Sequence, residues 1–238
     1  MRLSRFFIDA PLSLGQHPLP DASAHYISRV LRLSAGSAVQ LFDGSGSEFR
    51  GELLEVGKKS VTVELHERLT GMPESPLQIH LGQGLSRGER MDWAIQKATE
   101  LGVTQITPIV SERCEVRLND ERADKRLAHW RQIAISACEQ CGRSALPVIH
   151  PPISLRDWLP VEADLKLVLH PVAAPLTSHA RPQTLAFLIG PEGGLSESEV
   201  EQAANQGFQP ARLGPRVLRT ETAPVVALSV AQQLWGDF

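Results

Sequence analysis

The chain has 238 residues, of which 42% are hydrophobic and 21% are charged, and its formal net charge is −3. This length allows one large domain or two smaller ones, with ample apolar residues for a buried core. The small negative charge argues against a protein that coats nucleic acid non-specifically, because that mode of binding depends on many phosphate contacts.

Membrane proteins and disulfide-rich secreted proteins are also excluded. No apolar stretch approaches the roughly 20 residues that span a bilayer. The amino-terminal segment reaches Asp9 and Pro11 before a signal-peptide core can form, so we expect a cytoplasmic protein without a membrane partner. Three cysteines do not indicate a disulfide framework, and Cys138-Glu-Gln-Cys141 would need two more ligands to hold zinc, so we expect no metal.

Residues 1–70 have the pattern of a small β-barrel. Strand-like runs at 5–8, 38–42, 49–56 and 60–65 are separated by turn signals. One helix interrupts them, because Asp21 can cap a segment whose apolar residues recur at helical intervals, which would turn Arg29 and Arg32 outward. Residues 71–76 contain a glycine and two prolines and predict a linker.

Residues 77–238 alternate between strand and helix patterns, which predicts an α/β domain with a parallel sheet. The predicted strands are 77–84, 105–110, 165–169 and 185–189, and the predicted helices are 88–101, about 120–141 and 224–235. Ser196-Glu-Ser-Glu199 fits a capping box that begins another helix. The last helix is apolar around its whole circumference, so the fold or a second subunit must cover it.

Two glycine-rich turns are the strongest functional signal. Gly190-Pro-Glu-Gly-Gly-Leu195 follows the strand at 185–189, and Leu213-Gly-Pro-Arg-Val-Leu-Arg-Thr-Glu-Thr-Ala-Pro224 follows a strand-like run at 211–213. Both should lie at one edge of the sheet, where open α/β folds bind ligands. Each turn alone is compatible with an ordinary βα connection, but the pair predicts a pocket whose contacts are mostly backbone groups.

A third glycine-rich segment, Gly82-Gln-Gly-Leu-Ser-Arg-Gly88, resembles a dinucleotide-binding fingerprint. Its spacing is G-x-G-x-x-x-G rather than G-x-G-x-x-G, and Lys97 rather than an acidic residue follows on the helix. We therefore predict no dinucleotide site.

The two turns resemble the cofactor-binding loops of the SPOUT (α/β-knot) methyltransferases, specifically the ribosomal RNA small subunit methyltransferase E family, which methylates N3 of a uridine in small-subunit rRNA. The resemblance extends through residues 97–103, 111–114, 139–143 and 29–33. It implies a carboxyl-terminal α/β domain, 77–238, with a deep trefoil knot, a PUA-like β-barrel at 1–70, and a homodimer.

The resemblance also implies S-adenosylmethionine as cofactor, held in a bent conformation by the two loops and by the end of the strand at 165–169. The implied cofactor-binding residues are Leu169, Gly190, Glu192, Gly193, Gly194, Leu213, Gly214, Leu218, Arg219, Thr222 and Ala223.

Methyl transfer to uracil N3 needs alignment, a group that accepts the N3 proton, and stabilisation of the ring anion. We predict that Arg219 is the electrostatic partner and that Glu221 is a candidate base. The alternative for Glu221 is a carboxylate that the helix macrodipole favours near a helix N-terminus, and Glu192 carries the same ambiguity.

The implied RNA partner is small-subunit rRNA, either naked or in an assembled 30S subunit. N3 lies on the Watson–Crick edge, so the target must be unpaired or flipped. For each arginine among the predicted contacts the alternative is a surface ion pair worth little. The predicted RNA-binding residues are Arg5, Phe7, His25, Arg29, Arg32, Arg113, Glu139 and Arg143.

Two other functions fit parts of the pattern. One is a non-catalytic rRNA-binding assembly factor whose α/β domain only dimerises. The other is a phosphohydrolase in which residues 190–195 form an anion-binding turn, although the sequence offers no metal-binding carboxylate cluster or P-loop lysine for such an enzyme.

Overall fold

The computed structural model describes residues 3–57, 60–116, 119–176 and 179–238. Its contacts divide the chain into two compact units, Met1–Glu74 with Cys138–Leu146, and Ser75–Ala137 with Pro147–Phe238. A segment from the middle of the chain thus packs with the amino-terminal residues. The predicted limits, 1–70 and 77–238 with a linker at 71–76, did not include this excursion.

The first unit is built on a five-stranded sheet. Its strands are β1 (Ser4–Phe7), β2 (Gly15–Pro18), β3 (Ala38–Phe42), β4 (Glu48–Val56) and β5 (Val61–Leu69), in the order β1-β3-β4-β5-β2. β1 is parallel to β3, and the other pairs are antiparallel. Strand β2 was not predicted, because it begins with glycine and ends with proline. The described residues form a sheet with β1 and β2 outermost, and closure into a barrel stays a prediction.

The helix predicted in this unit begins and ends differently from expectation. α1 (Asp21–His25) is preceded by Pro20 at the N-cap, with no side-chain cap bond, so the prediction that Asp21 caps the helix was wrong. Asp21 is instead the first helical residue, where negative charge still favours the helix dipole. The helix widens into a π-helical turn, Tyr26–Val30, and Arg32 follows with φ 53°, a left-handed conformation that is uncommon outside glycine.

Within its described residues, the second unit contains a seven-stranded parallel sheet and five helices. Along the sheet the order is β12-β10-β11-β6-β7-β8, with β9 pairing with β7. The strands are β6 (Gln78–Gly84), β7 (Gln105–Val110), β8 (Val148–Ile149), β9 (Ile153–Ser154), β10 (Leu165–Pro175), β11 (Thr184–Ile189) and β12 (Gln209–Arg212), and the helices are α2 (Glu89–Glu100), α3 (Asp120–Cys141), α4 (Leu155–Trp158), α5 (Glu197–Asn205) and α6 (Thr222–Trp235). The last turn of α3 belongs to the first unit.

The central strands are buried on both faces. Leu167 and Phe187 pack into one hydrophobic cluster, whereas their neighbours Val168 and Leu188 pack into another. Because side chains alternate between the faces of a strand, a strand covered on both sides reads as a continuous apolar run. This confirms the parallel sheet predicted from residues 165–169 and 185–189.

Strand β10 is longer than predicted. It continues past Leu169 to Pro175, with a register shift between Leu169 and Ala174 opposite Ala211 of β12. A β-bulge re-aims the backbone locally. The predicted strand end at Leu169 is therefore an irregularity within β10. The short elements β8, β9 and α4 were not predicted, because two to four residues are too few to show a period.

Two of the three glycines of the discounted fingerprint have packing roles. A Cβ on Gly82 would lie 2.5 Å from the Trp158 ring, and a Cβ on Gly84 would lie 2.2 Å from the backbone nitrogen of Pro191. Both glycines therefore permit close packing around β6. None of the helices in the described ranges is long and apolar enough to cross a membrane.

Candidate functional site

A cavity of about 920 Å³ lies beside the carboxyl ends of β11 and β12 and the irregular part of β10. Residues Gly190–Leu195, which we call the first loop, follow β11, and residues Leu213–Glu221, which we call the second loop, follow β12. Both loops line the cavity, together with one side of α5 and with Arg90 of α2. The parallel sheet places them there because β10 pairs with both β11 and β12.

Most of the predicted cofactor-binding residues line this cavity. They are Leu169, Gly190, Glu192, Gly194, Leu213, Gly214, Leu218, Arg219 and Ala223. The exceptions are Gly193 and Thr222. A Cβ on Gly193 would lie 3.0 Å from Arg113 Cβ and 3.2 Å from the Arg113 carbonyl oxygen, so this glycine accommodates Arg113. Thr222 is exposed in the first turn of α6.

The first loop is a tight turn held by charged side chains. The amide of Gly194, a residue with φ 69°, donates to the Pro191 carbonyl at 2.9 Å. Arg90 Nη1 donates to Glu192 Oε1 at 2.7 Å, and the Arg87 amide donates to the same oxygen at 3.1 Å. Partial burial opposes ionisation of Glu192, but these hydrogen bonds and the Arg90 charge lower the pKa of its carboxyl below the ordinary value. Glu192 is therefore an anchor of the loop.

Arg113 supports the first loop from outside the cavity. Its Nη1 donates to the carbonyl oxygens of Gly193 and Leu195 at 3.3 and 3.4 Å. At the end of the loop the predicted capping box is present: Ser196 accepts from the Glu199 amide, and Glu199 accepts from the Ser196 amide. Glu199 also accepts from the Glu112 amide at 2.7 Å, which ties α5 to the segment after β7.

The second loop exposes several side chains around the cavity. Gly214 has φ 125°, a conformation that favours glycine, and Val217 is 85% exposed. Arg219 is exposed, while its carbonyl accepts from the amides of Thr222 and Ala223 at 2.9 Å and so begins α6. Arg219 thus lines the cavity from the point where the main chain enters α6.

Glu221 lies at the N-cap of α6, yet its side chain makes no cap hydrogen bond. Its Oε2 is buried and, among the described residues, has no hydrogen-bond partner. The nearest cationic group is Arg90, whose Nε lies 4.0 Å from this oxygen. Glu221 thus lines the cavity with a carboxylate oxygen that accepts no hydrogen bond from the described residues.

Sequence reasoning missed three residues that organise the cavity: Arg90, Gln83 and Thr220. The Thr220 hydroxyl donates to the Gly190 carbonyl at 2.9 Å and accepts from Gln83 Nε2 at 3.0 Å. Gln83 was the detectable signal, since it is a polar residue in the second half of β6, which is buried throughout. Nothing in the local pattern singles out Thr220 or Arg90.

The cavity suits a small ligand with an apolar body. Its volume lies within the range of about 300–1,000 Å³ that is usual for small-molecule sites. Leu169, Ile189 and Leu213 provide apolar walls, while the glycine-rich loops offer backbone groups, and Arg219 and Glu221 offer charge of both signs. An apolar wall with few directional polar groups is the usual composition of a cofactor site.

Among the predicted RNA-binding residues of the first unit, Arg5 has its side chain fully engaged in contacts within this chain. Its side chain, 10% exposed, pairs with Glu48 and lies 4.0 Å from the Phe42 ring centroid. It also donates to the carbonyl oxygens of Cys138, Gly142 and Arg143 and to Ser144 Oγ. This geometry gives Arg5 a structural role, because its donors are already used.

Phe7, Glu139 and Arg143 are also engaged within the first unit. The Phe7 amide donates to Glu139 Oε1 at 3.0 Å, and burial raises the pKa of the Glu139 carboxyl above its ordinary value. Arg143, with a side chain 6% exposed, pairs with Glu74 at 2.5 Å. Burial raises the pKa of the neighbouring Cys138 thiol to about 12, which leaves it protonated and unreactive at neutral pH.

By contrast, His25, Arg29 and Arg32 are exposed along the helical segment of the first unit. They share this surface with Tyr26 and Val30, which are 38% and 60% exposed. Cationic and aromatic groups on one surface are the combination that binds phosphates and unstacked bases.

Two family models match the chain. A model described as an RNA methyltransferase domain matches residues 73–232, and a model described as an RNA methyltransferase PUA domain matches residues 19–65. Curated relatives named ribosomal RNA small subunit methyltransferase E include one from Buchnera aphidicola, 35% identical over 100% of this chain and 96% of that protein, and one from Bacillus subtilis, 34% identical over 86% of this chain and 85% of that protein.

Solved structures of similar chains carry a bound cofactor. A methyltransferase E from Neisseria gonorrhoeae bound to S-adenosylmethionine is 42% identical, with a TM-score of 0.93. A Legionella pneumophila chain described as a methyltransferase in complex with S-adenosylmethionine is 40% identical, with a TM-score of 0.97. In both comparisons the alignment covers 100% of each chain.

Proposed function

Because this chain belongs to the ribosomal RNA small subunit methyltransferase E family, we propose that it transfers a methyl group from S-adenosylmethionine to N3 of a uridine in small-subunit rRNA. The observation that carries this proposal is that both glycine-rich loops line the same cavity. A bent cofactor needs walls on more than one side, and both loops and the bulged part of β10 supply them.

The residues present fit S-adenosylmethionine. Apolar side chains such as Leu169 and Leu213 suit its adenine ring, and the loops present backbone groups that can recognise a purine edge and a ribose. The buried, unpartnered Oε2 of Glu221 suits a cationic ligand or a proton. When bound, the cofactor supplies a methyl group that its sulfonium already makes electrophilic.

The chain's own contribution is to position the uracil and manage its charge. We assign to Glu221 the acceptance of the N3 proton, since this residue lines the cavity and its Oε2 has no hydrogen-bond partner among the described residues. Arg219 stabilises the negative charge that spreads over the uracil ring. Its exposed side chain belongs to the same loop as Glu221 and lines the same cavity. Positioning of this kind can lower a barrier by about 7–11 kcal/mol.

The RNA is proposed to contact the first unit through His25, Arg29 and Arg32. The match of residues 19–65 to an RNA methyltransferase PUA domain supports this assignment, as does the exposure of the three side chains. Arg113 is assigned a supporting role, because it holds the first loop from outside the cavity. The trefoil knot, the closed barrel, the homodimer and the cytoplasmic location remain parts of the same proposal, with small-subunit rRNA, naked or in an assembled 30S subunit, as the substrate.

The decisive test is to incubate the purified chain with labelled S-adenosylmethionine and small-subunit rRNA, either naked or within 30S subunits, and to map the product by mass spectrometry. We expect one methyl group on N3 of one uridine. Methylation of another atom or base would refute the uridine-N3 assignment. Binding of S-adenosylmethionine without any transfer would refute the enzymatic role and favour an assembly factor.

A further inference from the structure

We propose that Thr220 is a positioning residue that locks the two cofactor loops together through its buried hydroxyl. The chain of contacts Gln83 Nε2–Thr220 Oγ1–Gly190 O, which we call the hydroxyl bridge, joins β6, the second loop and the first loop. The inference rests on the proposed function, because it concerns the site that would hold S-adenosylmethionine.

The directions of the hydrogen bonds in the hydroxyl bridge are determined by chemistry. Gly190 contributes a carbonyl, which only accepts, so the Thr220 hydroxyl must donate to it across 2.9 Å. The lone pairs of the same hydroxyl are then available to the Gln83 amide, which donates from 3.0 Å. Thr220 is 8% exposed and Gln83 is 1% exposed, so water does not compete with these contacts. The hydroxyl bridge requires a group at position 220 that both donates and accepts through a single atom, and among small side chains a hydroxyl does this.

The first loop would transmit a displacement of Gly190. A Cβ on Gly190 would lie 3.1 Å from backbone atoms of Gly194 and Leu195, so the two ends of the loop are in contact. A Cβ on Gly84 would lie 2.2 Å from the Pro191 nitrogen, so the loop rests directly on the end of β6. Because the loop is closely packed on both sides, the position of the Gly190 carbonyl determines the position of the whole loop.

The second loop would respond in the same way. Arg219, Thr220 and Glu221 all line the cavity, but only Thr220 is buried, at 8% exposed. Holding Thr220 therefore holds the two predicted catalytic side chains at a constant distance from the first loop. Misplacing such groups by about 1 Å can lower the catalytic rate about a hundredfold.

The test compares Thr220→Val, which keeps the shape but removes the hydroxyl, with Thr220→Ser, which restores it. Thr99→Val is the matched control, because Thr99 is also a buried threonine and its hydroxyl donates to the Ile95 carbonyl at 2.8 Å within α2. We expect Thr220→Val to weaken S-adenosylmethionine binding about tenfold, measured by calorimetry, with Thr220→Ser within about twofold of the unaltered protein.

Hydrogen exchange provides a second readout that needs no cofactor. In Thr220→Val we expect faster exchange in residues 190–195 and 213–221, with unchanged exchange in α4 and in β4. In Thr220→Ser we expect protection to return. If Thr220→Val does not fold, Gln83→Met applies the same test, because it removes the amide that orients the hydroxyl while leaving Thr220 intact.

Several results would overturn the inference. If Thr220→Val leaves cofactor affinity and hydrogen exchange unchanged, the hydroxyl does not hold the loops. If Thr220→Ser binds the cofactor as weakly as Thr220→Val, the methyl group of Thr220 matters rather than its hydroxyl. An equal loss of cofactor affinity in Thr99→Val would show that removing any buried threonine hydroxyl weakens binding through general destabilisation. Failure of the unaltered chain to bind S-adenosylmethionine would instead refute the proposed function, and hydrogen exchange would still decide whether the hydroxyl bridge holds the loops.

Discussion

Gly193 and Gly194 look equivalent in the sequence of the first loop, but each position requires glycine for a different physical reason. Gly193 leaves room for Arg113, whereas Gly194 has φ 69° and open space where a Cβ would lie. Gly194 is therefore required for its backbone conformation, which costs a residue with a side chain roughly 1–2 kcal/mol. Only Gly194 of the two lines the cavity.

We predict that Gly194→Ala weakens S-adenosylmethionine binding, because the strain shifts the cavity wall. Gly207→Ala is a matched control, since Gly207 has φ 86°, open space around it and a location after α5 outside the cavity. Both variants should lose roughly 1 kcal/mol of unfolding free energy, but only Gly194→Ala should bind the cofactor more weakly in calorimetry. Equal affinity in both variants would contradict the assignment of the first loop.

Glu192 and Glu221 are two carboxylates beside one cavity with different surroundings. The Glu192 carboxylate is held by Arg90 at 2.7 Å, whereas Glu221 Oε2 has no hydrogen-bond partner among the described residues. An occupied carboxylate organises structure, while an open one can take a proton.

We predict that Glu221→Gln lowers kcat by about 10²- to 10⁴-fold, the usual contribution of a general base, while the affinity for S-adenosylmethionine changes little. Glu192→Gln should show the opposite profile, because it loosens the first loop and so raises the KM for the cofactor more than it lowers kcat. Steady-state kinetics on rRNA measures both. A Glu221→Gln enzyme with full kcat would return Glu221 to the alternative of a carboxylate at a helix terminus.

At the scale of elements, the amino-terminal edge of the parallel sheet holds a titratable cluster away from the cavity. His80 of β6 contacts Thr107 of β7 at 2.8 Å, and the Trp158 indole of α4 donates to His80 Nε2 at 3.3 Å. His150 stacks near it, with ring centroids 5.4 Å apart. An imidazole nitrogen that accepts from an indole must be unprotonated, so this packing favours neutral His80.

Burial, reinforced by His150, lowers the pKa of His80 to about 4. Because the folded pKa lies below the unfolded value of about 6.5, the unfolded state binds more protons in this range and stability falls as pH decreases. We predict a loss approaching 3 kcal/mol, as an order of magnitude, between about pH 6.5 and pH 4. Urea unfolding across this range should show a weaker pH dependence in His80→Gln. An identical slope in both proteins would exclude His80 as the cause.

At the scale of the whole molecule, long-range contacts join segments that no local pattern connects. Arg5 bonds to the Cys138 carbonyl across 133 positions and to Ser144 Oγ across 139. Its pairing with Glu48 is almost fully buried, with side chains 10% and 6% exposed. Arg5 thus fastens the excursion Cys138–Leu146 to the sheet of the first unit.

We predict that Arg5→Met destabilises the protein by about 3–5 kcal/mol, because it leaves Glu48 buried without its partner. Arg50→Met is the control, since the Arg50–Glu67 pair has side chains 43% and 48% exposed and should be worth less than about 1 kcal/mol. Chemical denaturation measures both free energies. Similar losses in the two variants would show that burial does not distinguish these ion pairs.

Much of the fold was predictable because its signals are local. Continuous apolar runs predicted the buried parallel strands β10 and β11, and Ser196 with Glu199 predicted the capping box, which the structure contains. The glycine-rich segments predicted where the chain turns after β11. The π-helical turn at Tyr26–Val30 and the bulge in β10 were missed, since each depends on packing rather than on a repeating pattern.

The sequence by itself determined the family, the parallel sheet and the position of both loops along the chain, since spacing, polarity and glycine content act between near neighbours. Only the tertiary structure decided which glycine faces the cavity, which arginines are buried, and that Thr220 meets Gln83 across 137 positions and Gly190 across 30. Such contacts depend on how distant segments pack against each other, and a hydroxyl within a loop carries no local mark of the carbonyl it will meet.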